Sequence, residues 1–326
     1  MRGRCFPPRC FPLMKRSSLP LVLGLCWMFG ALHPAPAIVI EGAETGAQTK
    51  YDRFLQGSYP GTAAQPPRTN PEFIGKQFDL SGIGWDNGKP NEPRTIHSVA
   101  LISPQYFLCA AHSPPGSTLH FLSKTGVLRT YQVDARNYHA ISYTGSNGKQ
   151  ESDLYLGRLT KPISPADGVR FFPMLYLGAT DIRSPRSFDP YTGVSLFNYS
   201  GSMDARMGTN TFERVAEAPP EQGVIKNLYL QYDQDASPGE TKLEPGDSGG
   251  PTFGLVEGVL GLLGVHTEVV GLTSMDAFAA YTPFVQQINA VMAADKQQLT
   301  LVPEPSAAVL LMAGAMLLGM PRRRAR

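Results

Sequence analysis

Beyond about residue 70 the chain breaks into short apolar stretches bounded by turn residues: FDLSGIGW (78–85), HSVALISPQYFLCAAH (97–112), TLHFLSKTG (118–126), RTYQVDARNYHAISY (129–143) and DLYLGRL (153–159). Several alternate apolar and polar positions with a period of two, the mark of a half-buried strand. Residues 160–173, TKPISPADGVRFFP, carry three prolines and read as a connector. A second set follows: PMLYLGAT (173–180), GVSLFNYS (193–200), NLYLQYD (227–233), GPTFGLV (250–256) and GVLGLLGVHTEVVG (258–271). Only YTPFVQQINAVMAA (281–294) has a helical period, with Phe284, Ile288 and Val291 on one face. Residues 38–70 are polar and proline-dotted and are assigned to no element, and Asp295–Thr300 reads as a polar tether. No repeat of fixed period is present. The pattern predicts an all-β chain: one β unit over 38–165, a second over 166–295, a proline-rich crossover and a closing helix.

Composition agrees, since 33 Gly and 29 Pro in 326 residues suit a turn-rich β protein. The two ends behave differently from the body. Five basic residues precede the apolar run Leu19–Leu32, which is followed by His33-Pro-Ala-Pro-Ala37, an Ala-x-Ala cleavage site. Residues 1–37 therefore read as an export signal removed by signal peptidase. A segment starting at Met14 makes the more ordinary signal, so translation from Met1 or Met14 stays open. The alternative, a retained anchor, is disfavoured by the shortness of the apolar run. At the other end (296–326), a linker leads through Val302-Pro-Glu-Pro-Ser306 to AAVLLMAGAMLLGM and a basic PRRRAR terminus. That three-part tail resembles the PEP-CTERM sorting signal of Gram-negative bacteria. The resemblance implies handling by an exosortase near Pro303-Glu304-Pro305, with membrane attachment through the apolar segment before processing and the body kept outside the cytoplasm.

Setting the ends aside changes the charge. The formal +2 of the whole chain becomes 20 basic against 26 acidic residues in 38–301, a net of −6. Nothing in that body points to nucleic acid. Three of the four cysteines lie in 1–37, which leaves Cys109 alone, read as a small core hydrophobe. Histidines 97, 112, 120, 139 and 266 show no metal-ligand spacing, and no cofactor motif is present.

The candidate chemistry lies in three short segments. Pro245-Gly-Asp-Ser-Gly-Gly-Pro251 offers a serine between glycines. Leu108-Cys-Ala-Ala-His-Ser113 places a histidine just beyond a β-type run, and Ser152-Asp-Leu-Tyr-Leu156 opens another strand with a carboxylate. A serine hydroxyl becomes a nucleophile only when a base takes its proton, and the base needs a third group to fix its tautomer. Singly, each segment has a bland reading: a surface turn, a core histidine, a strand-edge charge. Together, in the order His112, Asp153, Ser248, they resemble the TAAHC, DIALL and GDSGGP boxes of chymotrypsin-like (trypsin-fold) serine proteases, and Tyr281-Thr282-Pro283-Phe284 is similar to that family's closing helix. Ser113 stands where the family usually has cysteine.

The resemblance implies two six-stranded antiparallel Greek-key barrels with a C-terminal helix, and a cleft between them that hydrolyses a protein or peptide substrate. Ser248 is then the nucleophile, His112 the base and Asp153 its orienter, and the N–H groups of Gly246 and Ser248 form the oxyanion hole. Family members activated from precursors bury a new N-terminal Ile-Val against the aspartate beside the nucleophile. Here Ile38-Val39 follows the signal and Asp247 precedes Ser248, so export and activation become one event; alternatively Ile38–Ile40 is simply a strand. Lys242, His266 and Thr267 fall where the family builds its specificity pocket. Lys242 and His266 there imply acceptance of an acidic side chain, unless Lys242 reaches solvent or pairs with Glu244. Thr267 takes the place of a serine that bonds the catalytic aspartate. An alternative to the enzyme is a barrel protein without turnover that serves as a surface scaffold. The pattern Gly-x-Ser-x-Gly also occurs in α/β-hydrolases, but those run Ser, acid, His, and place the serine between strand and helix.

Overall fold

The structure, a computed structural model, describes residues 38–43, 47–88, 96–145, 148–182, 184–202, 205–217, 228–234 and 237–302. The export-signal segment and the Pro-Glu-Pro tail fall outside these residues. Strand β1 is Val39–Ile40. Then come β2 (Ile83–Trp85), β3 (Ser98–Leu101), β4 (Tyr106–Ala110), β5 (Thr118–Leu122), β6 (Leu128–Gln132), β7 (His139–Gly145) and β8 (Gly148–Arg158). The later half contains β9 (Met174–Leu175), β10 (Ser195–Ser200), β11 (Arg206–Thr211), β12 (Arg214–Glu217), β13 (Leu228–Asp233), β14 (Thr241–Lys242), β15 (Pro251–Val256), β16 (Val259–Val270) and β17 (Thr273–Phe278). Helix α1 (Thr282–Met292) and β18 (Leu301–Val302) end the fold.

Two sheets account for nearly all of this. The first runs β6-β5-β2-β3-β4-β8-β7. Its end strands, β6 and β7, are consecutive in the chain, and Val133 between them bridges to Leu159 just past β8. Residues 128–145 thus act as one bent strand lying on β5 at one end and on β8 at the other, and the sheet closes into a six-membered ring. The second sheet runs β11-β10-β15-β16-β17-β13-β12. Its end strands, β11 and β12, are again consecutive, so 206–217 is the bent strand that closes this ring. Numbering the six strands of each ring in chain order gives the same cycle, 1-2-3-6-5-4, in both. Each barrel is antiparallel, as expected for the trypsin-like two-barrel fold; among the described residues the parallel strand pairings are β9 on β16 and β18 on β9, with single parallel bridges at Ala179–Tyr281 and Thr209–Glu240.

Period-two alternation explains how the site is positioned. Strand β4 is buried on both faces. Phe107 and Cys109 point into the first barrel with Val99, Leu101, Leu119 and Phe121. Tyr106, Leu108 and Ala110 join the larger core that includes the second barrel's Leu262, Leu263 and Phe253. Each large side chain so placed contributes about 1.5–3 kcal/mol of burial. Cys109 is a core hydrophobe as expected, and burial pushes its thiol well above the ordinary range. The chain leaves β4 at the boundary of the two cores, two residues before His112.

The helix forms where predicted, with Pro283 in its first turn. It buries Phe284, Val285, Ile288 and Met292, whereas Val291 is only partly covered. Gln287 reaches back to the first barrel, donating to the Ser142 carbonyl at 2.6 Å and accepting from the Ser142 N–H at 3.1 Å.

The expected tether is a correction. Asp295 takes an ion pair from Arg158 at 3.0 Å and the Tyr106 hydroxyl at 2.6 Å. Met174 N–H donates to the Thr300 carbonyl, and Leu299 and Val302 are buried. The Asp295 side chain and the backbone at Leu299 and Thr300 find partners on the body, and the buried Leu299 and Val302 supply the packing. The chain is thereby fastened as far as Val302.

Candidate active site

Pairing of β4 with β8 brings the first two site residues together. Ala110 lies opposite Leu154, and Ala111 N–H donates to the Asp153 carbonyl at 3.0 Å. His112 follows, and Asp153 holds it twice. Carboxylate Oδ1 accepts the His112 backbone N–H at 2.8 Å, and Oδ2 lies 2.6 Å from Nδ1. Asp153 is 2% exposed, so this carboxylate is aimed by its partners rather than by solvent. With Nδ1–H directed at Asp153, the Nε2 lone pair faces Ser248 Oγ at 2.8 Å. The hydrogen bond that Nδ1–H donates to Asp153 raises the pKa of the His112 imidazole above its ordinary value; burial opposes this, and the charges of Asp153 and Glu268 add to it.

Ser248 stands on a turn built from backbone. Asp247 N–H donates to the Glu244 carbonyl, Gly250 N–H to the Asp247 carbonyl and Gly249 N–H to the His266 carbonyl. Gly246 has φ 110°, where a side chain is strained. A Cβ on Gly250 would sit 2.3 Å from the Tyr199 carbonyl oxygen and 2.5 Å from His266 Cδ2, so the loop packs there with no room for one. Among the described residues the N–H groups of Gly246 and Ser248 have no acceptor, while those of Asp247, Gly249 and Gly250 are used. The two open donors are the pair read from the sequence as an oxyanion hole.

Beneath the turn, Asp247 is 3% exposed and caged. Its oxygens accept from Ile38 N at 3.1 and 3.0 Å, Ser200 Oγ at 2.5 Å, Ser202 Oγ at 3.1 Å and Glu244 N–H at 2.6 Å. Burial nonetheless holds its carboxyl above the usual range, against the lowering effect of these bonds and of His266. Ile38, fully buried, is thus brought to Asp247 by way of the β1–β14 pairing of Val39 with Lys242. Nothing local in the sequence marks Ser200 and Ser202, which lie 47 and 45 residues away.

A pocket of about 240 Å3 opens beside Ser248, lined by Leu243, Glu244, Pro245, Asp247, His266, Thr267, Glu268 and Val269. His266 is fully buried; its Nδ1 lies 2.8 Å from Asp276 Oδ1, and its Nε2 has no partner among the described residues. Asp276 is also fully buried and accepts from Thr252 Oγ1 at 2.5 Å. Lys242 is not in the lining. It pairs with Glu244 at 3.1 Å, which removes it from the specificity role expected of it. Thr267 lines the pocket but does not bond Asp153: its hydroxyl donates to the Val265 carbonyl and accepts from Ala277 N–H, both at 3.2 Å. The register of β16 against β17 slips between His266 and Glu268, and such a bulge re-aims the side chains around it.

No family model matches the chain, and no curated protein matches it. Solved structures that are similar include human heparin binding protein, at 15% identity over 67% of this chain and 94% of that one, with a TM-score of 0.45. A double mutant of the same human protein gives 16% identity, 67% and 93% coverage and a TM-score of 0.44. The NS6 protease of murine norovirus 1 gives 14% identity, 56% and 85% coverage and a TM-score of 0.35. The class that strand order and core define for this chain is an all-β fold of two six-stranded antiparallel barrels that share one strand cycle.

Proposed function

We propose that the chain is an exported serine endopeptidase. The observation that carries this reading is the unbroken line from Asp153 Oδ2 through the His112 ring to Ser248 Oγ, at 2.6 and 2.8 Å. In the reaction Ser248 Oγ attacks the substrate carbonyl while His112 Nε2 takes its proton, giving a tetrahedral intermediate whose oxyanion the Gly246 and Ser248 N–H groups receive. Each such donor contributes about 3 kcal/mol in comparable sites. Asp153 stabilises the imidazolium, which then protonates the leaving amine. The acyl-enzyme that remains is hydrolysed by water along the same proton path.

The side chain before the scissile bond enters the pocket against His266. An acidic side chain there would need His266 Nε2, which is buried and has no partner among the described residues, because Lys242 is occupied by Glu244. The chain preceding that residue runs beside Thr267–Val269, where β16 has left β15, whose pairing reaches only Val265.

Removal of residues 1–37 by signal peptidase turns Ile38 N from an amide into an ammonium facing a buried carboxylate. An unpaired buried carboxylate is costly and an ion pair there relieves it, so export and activation are read as one step. Sorting by an exosortase through Pro303-Glu304-Pro305 remains part of this proposal, which places the enzyme on or outside a Gram-negative cell surface.

Hydrolysis of casein by the body beginning at Ile38, compared with Ser248→Ala, tests the reading. Turnover that Ser248→Ala abolishes supports it. A folded body without turnover contradicts it and favours a scaffold role.

A further inference from the structure

All three charged side chains lining the pocket beside Ser248, apart from His266, are carboxylates: Glu244, Asp247 and Glu268. Their states differ. Asp247 lies beneath the turn with donors on both oxygens. Glu244 is neutralised by Lys242 at 3.1 Å. Glu268 is half-buried and its Oε2 accepts the Tyr229 hydroxyl at 3.1 Å. Among the described residues no cation pairs with it.

The backbone explains why this carboxylate faces the mouth. The bulge at Thr267 breaks the alternation between His266, which packs into the wall, and Glu268, which lines the opening. Tyr229, itself 1% exposed, anchors one carboxylate oxygen from β13. The charge is close enough to His112 to add to the raising of its imidazole. The site therefore carries one held, uncompensated negative charge between the nucleophile's base and the open edge of β16. Val269 beside it offers apolar surface for the methylene stem of a long side chain. The net charge of −6 over residues 38–301 acts in the same direction at long range.

We propose that Glu268 is the specificity-determining residue of this site and selects peptides with Lys or Arg one to three positions before the residue held in the pocket. This rests on the endopeptidase reading and adds its substrate class: polypeptides with a basic side chain just upstream of the cut. Binding occurs as the ammonium or guanidinium pairs with the free oxygen of Glu268 while the stem lies along Val269. Because the contact forms in the enzyme–substrate complex and persists through the reaction, its effect falls mainly on KM.

The experiment uses the body beginning at Ile38 and a peptide library in which each of the three upstream positions holds Lys, Gln or Glu in turn. Wild type is expected to prefer Lys over Glu at one of them by about tenfold in kcat/KM, mainly through KM, and less strongly as salt rises. In Glu268→Gln the ratio of kcat/KM for the Lys and Glu peptides collapses to within about twofold, a ratio from which any change common to all peptides cancels, while Ser248 is still labelled by a fluorophosphonate. Tyr229→Phe, which frees the carboxylate but keeps its charge, gives an intermediate preference. A preference for Lys that survives in Glu268→Gln, or turnover by wild type that is blind to charge at all three positions, overturns the inference and leaves the endopeptidase reading standing. Absence of both turnover and Ser248 labelling in folded wild type overturns the endopeptidase reading and this inference with it.

Discussion

At the scale of single residues the account turns on how His112 is held. Asp153 accepts both its backbone N–H and its Nδ1–H, and that second bond is the largest cause of the raised imidazole. A general base must be neutral, so activity is lost as pH falls through the value of His112. Since the site favours the protonated ring, the acid limb of kcat/KM is expected above about 6.5, the ordinary imidazole value. Asp153→Asn should lower kcat by about 10⁴-fold by favouring the wrong tautomer, and should move the limb towards lower pH. A rate–pH profile of both forms checks each point. Gly250 is a second local test. Gly250→Ala brings a methyl against the Tyr199 carbonyl and His266, and is expected to cost about 1–3 kcal/mol in urea denaturation. His112, Asp153 and Ser248 were legible because each sits in a short, chemically distinctive segment. Glu268, Tyr229 and the serines around Asp247 were not, because their importance comes from neighbours dozens of residues away. Asp276 did leave a signal, a carboxylate inside the apolar run Ser274–Phe278, which on a central strand calls for a buried partner.

At the scale of elements, the strands read from alternation are nearly all present, and the helix forms over Thr282–Met292. The longest element absent from the sequence reading is the bent strand 206–217; the two-residue strands β14 and β18 are absent from it as well. Its first half, Arg206–Thr211, reads RMGTNT, polar enough to pass for a loop, yet it is mostly buried. Buried polarity is satisfied there by specific partners: Asn210 Nδ2 donates to the Asp233 and Thr241 carbonyls, and Arg206 Nε lies 2.6 Å from Asp52 Oδ1. Neither partner can be found from periodicity. The Arg206–Asp52 pair also ties residues 47–70, part of the segment assigned to no element, to the second barrel, helped by Arg53 N–H on the Ala205 carbonyl and the Tyr59 hydroxyl on the Gly201 carbonyl. Both ion-pair partners are at most 5% exposed, so Asp52→Ala strands a buried guanidinium and is expected to cost about 3–5 kcal/mol. Equilibrium unfolding reads that loss directly. The tail after the helix differs from the expected tether for a related reason: Asp295–Thr300 is polar by composition, but Asp295 and the backbone at Leu299 and Thr300 are bonded to the body. Truncation after Val302 should leave the melting temperature of the body unchanged, whereas truncation after Asp295 should lower it by several degrees, since about 1 kcal/mol is worth roughly 2–4 °C in a domain of this size.

At the scale of the whole molecule, the two barrels repeat one strand cycle, and the site lies where a strand of the first, β4, is packed against the core of the second. The ends of the described chain are both worked into this frame, Ile38 at Asp247 and Val302 on β9. The Ile38 contact makes a further prediction. A body carrying one extra alanine before Ile38 moves the amine away from Asp247, and is expected to lose about 100-fold in kcat/KM, as misplacement of about an ångström does elsewhere. Assay beside the form beginning at Ile38 decides it. All of these expectations presuppose that Ser248 is activated by His112. The most direct measurement is fluorophosphonate labelling of the folded body, followed by mass spectrometry of the modified peptide. The account predicts stoichiometric modification of Ser248 that disappears in His112→Ala with the fold intact. Labelling that survives in His112→Ala, or a folded wild type whose Ser248 is not labelled, would contradict it.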